Sequence, residues 1–329
     1  MTFNVFGAGS WGIALSSYLT SLNYKVKIFH RSLNSSNFLI NHNQHKLFPE
    51  IVLNKNISFS NNLNDFNLDN INILAVPTNS LSNIMNKIAK KDSLYLILSK
   101  GIETETGLLP YMILNDKHNI DLMNIAVLSG PNHAEEVILN KPTTSVIASM
   151  NKNLALNLQD ALSSIKFRIY TSNDLTGVQV LSAVKNVIAI ASGISEGLKL
   201  GDNAQASLIT RGMNELKQLK KIYKFNDTTL YGVASQGDLL CTCYSNFSRN
   251  KRLGILLAKE NNLSKSKCEI GMTTEGVYTA KILYDIIIEN KLDMPICEEV
   301  YNIIYKKVDP FESLSTLMNR ALISETKKN

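Results

Sequence analysis

Apolar residues in the first half of the chain come in short, nearly unbroken runs that end in glycine, proline or small polar residues. Phe3, Val5 and Phe6 with Ala8 read as a buried strand, and residues 25–29 (KVKIF), 71–76 (INILAV), 94–98 (LYLIL) and 125–128 (IAVL) as four more. Residues 146–148 and 167–170 are shorter candidates that extend the same sheet. Between them, residues 11–23 and the stretch from Thr78 to Lys90 carry helical patterns. Runs of this kind alternating with helices predict a mostly parallel sheet covered on both faces. From about residue 176 the period changes. Helical patterns run over 177–192, 203–223, 249–260, 274–290 and 296–306, with no convincing strand. The expectation is an α/β fold in two parts: a Rossmann-type domain over 1–175 and an all-α domain over 176–329.

The first strand leads into Gly7-Ala8-Gly9-Ser10-Trp11-Gly12, a complete G-x-G-x-x-G between strand and helix. That context marks a dinucleotide turn. Gly7 makes the bend, Gly9 lets a pyrophosphate reach the backbone, and Gly12 lets helix and strand pack closely. Ligands of such sheets bind off the carboxyl ends of the strands. Gly7, Pro77, Lys100 and Gly130 all stand at those ends. The second strand ends at His30-Arg31, where an NAD-specific unit carries an acidic residue. Two cationic groups there suit a 2′-phosphate, or are simply a solvated strand end.

The composition is that of an ordinary globular protein, with 44% hydrophobic residues and mean hydropathy −0.03. The net charge of +6 is scattered and forms no basic block, which disfavours nucleic acid and weakly favours a small anion. Cys241, Cys243, Cys268 and Cys297 form no C-x-x-C pair, so reduced thiols and no metal site are expected. The N-terminus lacks a basic leader, and no apolar run is taken to approach the ~20 residues of a membrane span. A cytoplasmic enzyme without a membrane span is expected.

Lys185 lies in the apolar stretch LSAVKNVIAIASG, with Ser182, Ala189 and Ser192 on its own helical stripe. Small neighbours leave a hollow for a ligand, and a desolvated ammonium suits proton transfer. A lysine whose stem snorkels to the surface is the competing reading. Ser248-Arg249-Asn250 opens a helix and suits a phosphate monoester, or is a plain cap with a solvated arginine. Glu275 is either a capping-box carboxylate or a cofactor contact.

The ordered series GAGSWG, VPTNS, SKGIETETG, SGPNHAEE, VKNVIAI, ITRG, GDL, SRN and GMTTEG resembles the bacterial-type NAD(P)-dependent glycerol-3-phosphate dehydrogenases along the whole chain. The resemblance implies interconversion of dihydroxyacetone phosphate and sn-glycerol 3-phosphate with NAD(P)H, at the head of phospholipid synthesis. It implies that Lys185 is the proton donor and acceptor, with Lys100 and Asp238 beside it. Lys100, Gly130, Asn132, Asp238, Ser248, Arg249 and Asn250 correspond to substrate contacts. Ser10, Trp11, Arg31, Lys100, Ala134, Arg249, Thr273 and Glu275 correspond to cofactor contacts. The chain departs from the family at Ala234-Ser235-Gln236, at Gln205 and at Thr273-Thr274. A hydroxyacid or ketopantoate-type reductase would place a carboxylate where Ser248-Arg249-Asn250 invites a phosphate. A non-catalytic dinucleotide sensor would have no need of Lys185, Lys100 and Asp238. A homodimer is left open.

Overall fold

The computed structural model describes residues 1–322 and 324–325. Its strands are β1 (Thr2–Phe6), β2 (Lys25–Phe29), β3 (Gln44–His45), β4 (Phe48–Val52), β5 (Ile57–Ser60), β6 (Ile71–Leu74), β7 (Tyr95–Ile97), β8 (Ile125–Ser129), β9 (Thr143–Ser149) and β10 (Phe167–Ser172). Eight of them form one sheet in the order β10-β9-β8-β7-β6-β1-β2-β5. Every pairing in it is parallel except β8 with β9. β3 and β4 make a separate antiparallel hairpin. The central strands are mostly apolar because both faces are covered, and the buried Asn4 and Asn72 of β1 and β6 are paired, Asn4 Nδ2 donating to Asn72 Oδ1 at 2.9 Å. On one side lie α1 (Ser10–Ser21) and α6 (Lys152–Leu162), with α2 (Leu33–His42) and α5 (Ala134–Val137) also near the rim; on the other lie α3 (Leu81–Ile88) and a helical stretch that begins with α4 (Pro110–Met112).

The helical part consists of α7 (Leu175–Gly197), α8 (Asp202–Gln218), α9 (Asp227–Leu230), α10 (Asp238–Tyr244), α11 (Arg249–Glu260), α12 (Leu263–Ile270), α13 (Glu275–Asn290), α14 (Pro295–Lys306) and α15 (Pro310–Met318). α7 is its axis. Asp174 caps it by accepting from the Gly177 amide at 2.9 Å, and Leu175 and Val178 in its first turn also pack beneath the sheet. Its 18-residue apolar window has mean hydropathy 1.5, which corrects the expectation that no run is long and apolar enough to span a membrane. That window is wholly buried inside the protein, so α7 is a core helix.

Two helices pack on α7 at unusually close range. A Cβ on Gly254 of α11 would meet the Ile190 carbonyl oxygen at 2.1 Å, and one on Gly193 would meet the Lys251 carbonyl at 1.9 Å. A Cβ on Gly276 of α13 would meet the Asn186 carbonyl at 2.7 Å. These contacts set the starts of α11 and α13 beside the middle of α7, where Lys185 stands.

Candidate active site

A cleft of about 410 Å3 lies between the strand ends and the starts of α10, α11 and α13. Lys185 is 4% exposed, which rules out a snorkelling surface lysine. Its Nζ donates to Asp238 Oδ1 and to Thr242 Oγ1, each at 2.6 Å. Asp238 Oδ2 accepts from Lys100 Nζ at 2.9 Å. Lys100 also donates to the Gly130 carbonyl and to Asn132 Oδ1, each at 3.1 Å. One carboxylate thus bridges two ammonium groups, one from the sheet and one from α7. Burial pushes the Lys185 pKa down to about 8, with Asp238 opposing the fall and Lys100 adding to it. Burial acts to raise the Asp238 carboxyl, but the two lysines hold it below its ordinary value.

The stripe of small residues around Lys185 is not a hollow for a ligand. It seats α10, with Ser192 Oγ donating to the Cys243 carbonyl at 3.1 Å, and α10 in turn delivers Asp238 and Thr242. Space for a ligand opens at the ammonium end of Lys185 instead. Thr242 went unnoticed in the sequence, although its i+4 spacing from Asp238 puts both on one helix face.

Arg249 is mostly buried, and its Nη2 donates to Ser10 Oγ at 2.5 Å, so it reaches across the cleft to the dinucleotide turn. Ser248 caps α11 by accepting from the Lys251 amide at 3.2 Å. Asn250 borders the cleft, but both ends of its amide are engaged. Nδ2 donates to Asn186 Oδ1 at 2.9 Å, and Oδ1 accepts from the Gly276 amide at 3.1 Å. Its side chain therefore ties α7, α11 and α13 together, a use the sequence did not disclose. His133 also lines the cleft, with a buried Nε2 that has no protein partner.

The dinucleotide turn is built as its glycines require. Gly7 has φ +121°, and a Cβ there would meet the Ala75 carbonyl oxygen at 2.5 Å; one on Gly12 would meet the Gly7 carbonyl at 2.0 Å. Gly9 faces open space, and α1 begins without a side-chain cap. Bare first-turn amides beside an open glycine suit a pyrophosphate, so the residues present fit a dinucleotide. Ser10, Trp11, Ala134, Thr273 and Glu275 border the same cleft. Glu275 is no capping-box residue. Its Oε1 accepts from the Thr78 amide at 3.1 Å, and burial pushes its pKa up to about 7. Arg31 is exposed just past β2 and lies outside the cleft lining. Of the departures, Gln205 is buried on Ser192, and residues 234–236 lie in the helical turn that enters α10.

Family models for the N-terminal and C-terminal parts of NAD-dependent glycerol-3-phosphate dehydrogenase match residues 2–155 and 174–315. The glycerol-3-phosphate dehydrogenase [NAD(P)+] of Thermoanaerobacter sp. strain X514 is 36% identical over 324 residues, covering 97% of each chain. The crystal structure of glycerol-3-phosphate dehydrogenase from Coxiella burnetii superposes with a TM-score of 0.91 at 29% identity, over 97% of this chain and 99% of that one. A ketopantoate reductase from Ralstonia eutropha JMP134 reaches a TM-score of 0.60 at 13% identity, over 95% of this chain and all of that one, a likeness of fold alone. The chain belongs to the NAD-dependent glycerol-3-phosphate dehydrogenase family.

Proposed function

From that membership we propose that this oxidoreductase interconverts dihydroxyacetone phosphate and sn-glycerol 3-phosphate with NAD(P)H, and that Lys185 handles the proton. The observation that carries the reading is the buried Lys185–Asp238–Lys100 array, opening on a cleft that also holds Arg249 and the bare turn of α1. A bound nicotinamide supplies the hydride that C2 of the ketone receives. Lys185, with its pKa near 8, is still an ammonium at neutral pH yet a stronger acid than an exposed lysine. It gives its proton to the C2 oxygen as that atom becomes an alkoxide, leaving a secondary alcohol. Asp238 aims the ammonium, and the positive charge of Lys100 stabilises the developing oxyanion. In the oxidative direction neutral Lys185 takes the proton back.

Ser248, Arg249 and the first amides of α11 anchor the phosphate, and Gly130 and Asn132 fix Lys100 beside the carbonyl. Asn250 holds the phosphate end of the cleft in shape. Gly7, Gly9, Ser10, Trp11 and Gly12 hold the pyrophosphate, with Ala134, Thr273 and Glu275 on the facing wall. Arg31, past the end of β2, meets the 2′-phosphate, so both cofactors serve with a lean to NADPH. The domain boundary falls near residue 175. Cytoplasmic supply of glycerol 3-phosphate for phospholipid synthesis is the role that fits.

The test follows absorbance at 340 nm with dihydroxyacetone phosphate and each reduced cofactor separately. Equal turnover of unphosphorylated dihydroxyacetone would remove the phosphate anchor, and no oxidation of either cofactor would remove the activity.

A further inference from the structure

The hairpin of β3 and β4 lies beside the dinucleotide turn, and the reading above assigns it nothing. Its stem is fixed by Phe48, which is buried against the sheet's helical cover, and by the Leu53 amide donating to the Asn43 carbonyl at 2.7 Å. Its tip is different. Leu47 lines the same cleft as Gly9, Ser10 and Trp11 while remaining 43% exposed.

His45 connects this tip to the turn. Its Nε2 lies 3.1 Å from the carbonyl oxygen of Ala8, the residue between Gly7 and Gly9. Its Nδ1 accepts from the Leu47 amide at 3.1 Å. A carbonyl can only accept and an amide can only donate, so the ring is neutral with its proton on Nε2. Burial lowers the His45 pKa, partly opposed by the Ala8 contact and aided by His30, which keeps that neutral form at pH 7. Among the described residues, no other hydrogen bond joins the hairpin to residues 7–12.

We propose that His45 is a positioning residue for the dinucleotide, clasping the hairpin to Ala8 so that the exposed face of Leu47 closes over the bound cofactor. The inference rests on the cofactor reading above. An apolar side chain held in place gains contact with the ligand, whereas a loose tip must be ordered on each binding event.

The test uses Trp11, the single tryptophan of the chain, whose place in the cleft lets its fluorescence report binding. NADH and NADPH are titrated into the full-length protein and its variants, and KM and kcat are measured in parallel. His45→Phe keeps a planar ring and removes both nitrogens, while His45→Gln keeps one donor and one acceptor. His45→Phe is expected to weaken both cofactors about tenfold, the size of a lost hydrogen bond with its local ordering. Its KM for dihydroxyacetone phosphate and its kcat at saturating cofactor stay within about twofold. His45→Gln recovers most of the loss, and Leu47→Ala added to His45→Phe costs little more, because both act through one contact. Cofactor binding by His45→Phe within about twofold of the parent overturns the proposal. So does an equal loss in the Phe and Gln variants, or a loss shared by the substrate KM. A parent chain that binds neither cofactor overturns the reading beneath it instead.

Discussion

A lysine 4% exposed in the middle of a core helix is costly unless something holds its charge. Asp238 does so at 2.6 Å, but incompletely, because it is shared with Lys100 and because burial works against the ammonium. The compromise leaves the Lys185 pKa near 8, a value that serves as an acid in one direction and a base in the other. Reductive kcat/KM should therefore hold below about pH 8 and fall above it as the ammonium is lost, while the oxidative rate rises through the same range. Lys185→Met should lower kcat by at least ~100-fold with cofactor Kd near the parent value, and remove both pH limbs. A variant that keeps most of its turnover takes Lys185 out of the proton step. If Arg31 meets the 2′-phosphate as proposed, Arg31→Asp should weaken NADPH by roughly 1–3 kcal/mol and leave NADH nearly unchanged. The comparison is kcat/KM for both cofactors at one ionic strength, since the side chain is exposed. Equal losses would show that Arg31 does not read the 2′-phosphate.

Helices, not single side chains, bring the proposed phosphate anchor to Lys185, and the joint between α7 and α11 is the tightest of them. Gly254→Ala gains up to ~1 kcal/mol of helix propensity, but its Cβ would stand 2.1 Å from the Ile190 carbonyl oxygen. Forcing helices apart costs about 1–3 kcal/mol or more, so the sign should be destabilising. Because α11 carries Ser248 and Arg249, the same shift should raise the KM for dihydroxyacetone phosphate more than that for cofactor. A melting temperature at or above the parent's would mean that the helices separate freely. At this scale the sequence was readable where one pattern dominates. KVKIF is the strand β2 residue for residue, and residues 249–260 are α11. It was unreadable where polar residues blur the period, as in LNSSNFLINH of α2, and where pairing is long-range, as in β5 and the β3–β4 hairpin. The antiparallel turn of β9 onto β8 and the division of the 203–223 stretch into α8 and a short 3-10 turn carry no local signature either. Among site residues, motifs marked Lys185, Lys100 and Asp238, but no motif could show that Asn250 spends its amide on Asn186 and Gly276.

The two parts of the molecule meet across one cleft through links that each use a residue from either side: Lys100 with Asp238, Ser10 with Arg249, and Thr78 with Glu275. The first is the only one of the three that also touches Lys185, so the proposed proton step and the contact between the two parts would share a single carboxylate. Asp238→Asn tests that sharing. It leaves the shape of the side chain but strands two ammonium groups with no counter-charge. Removing one partner of a buried pair costs on the order of 3–5 kcal/mol, which denaturant unfolding would register as a lower midpoint. Lys185 would respond by giving up its proton more readily, since the charge that opposes its fall from the ordinary lysine value is gone. The falling limb of reductive kcat/KM should then move from about pH 8 toward acid, and activity at pH 7 should drop even with both substrates saturating. The two readouts discriminate. A stability loss with an unmoved limb would make Asp238 a bridge between the halves and nothing more, and a moved limb at full stability would make it a partner of Lys185 alone. Only a variant changed in both supports one carboxylate holding the halves together and setting the acidity of the proton donor.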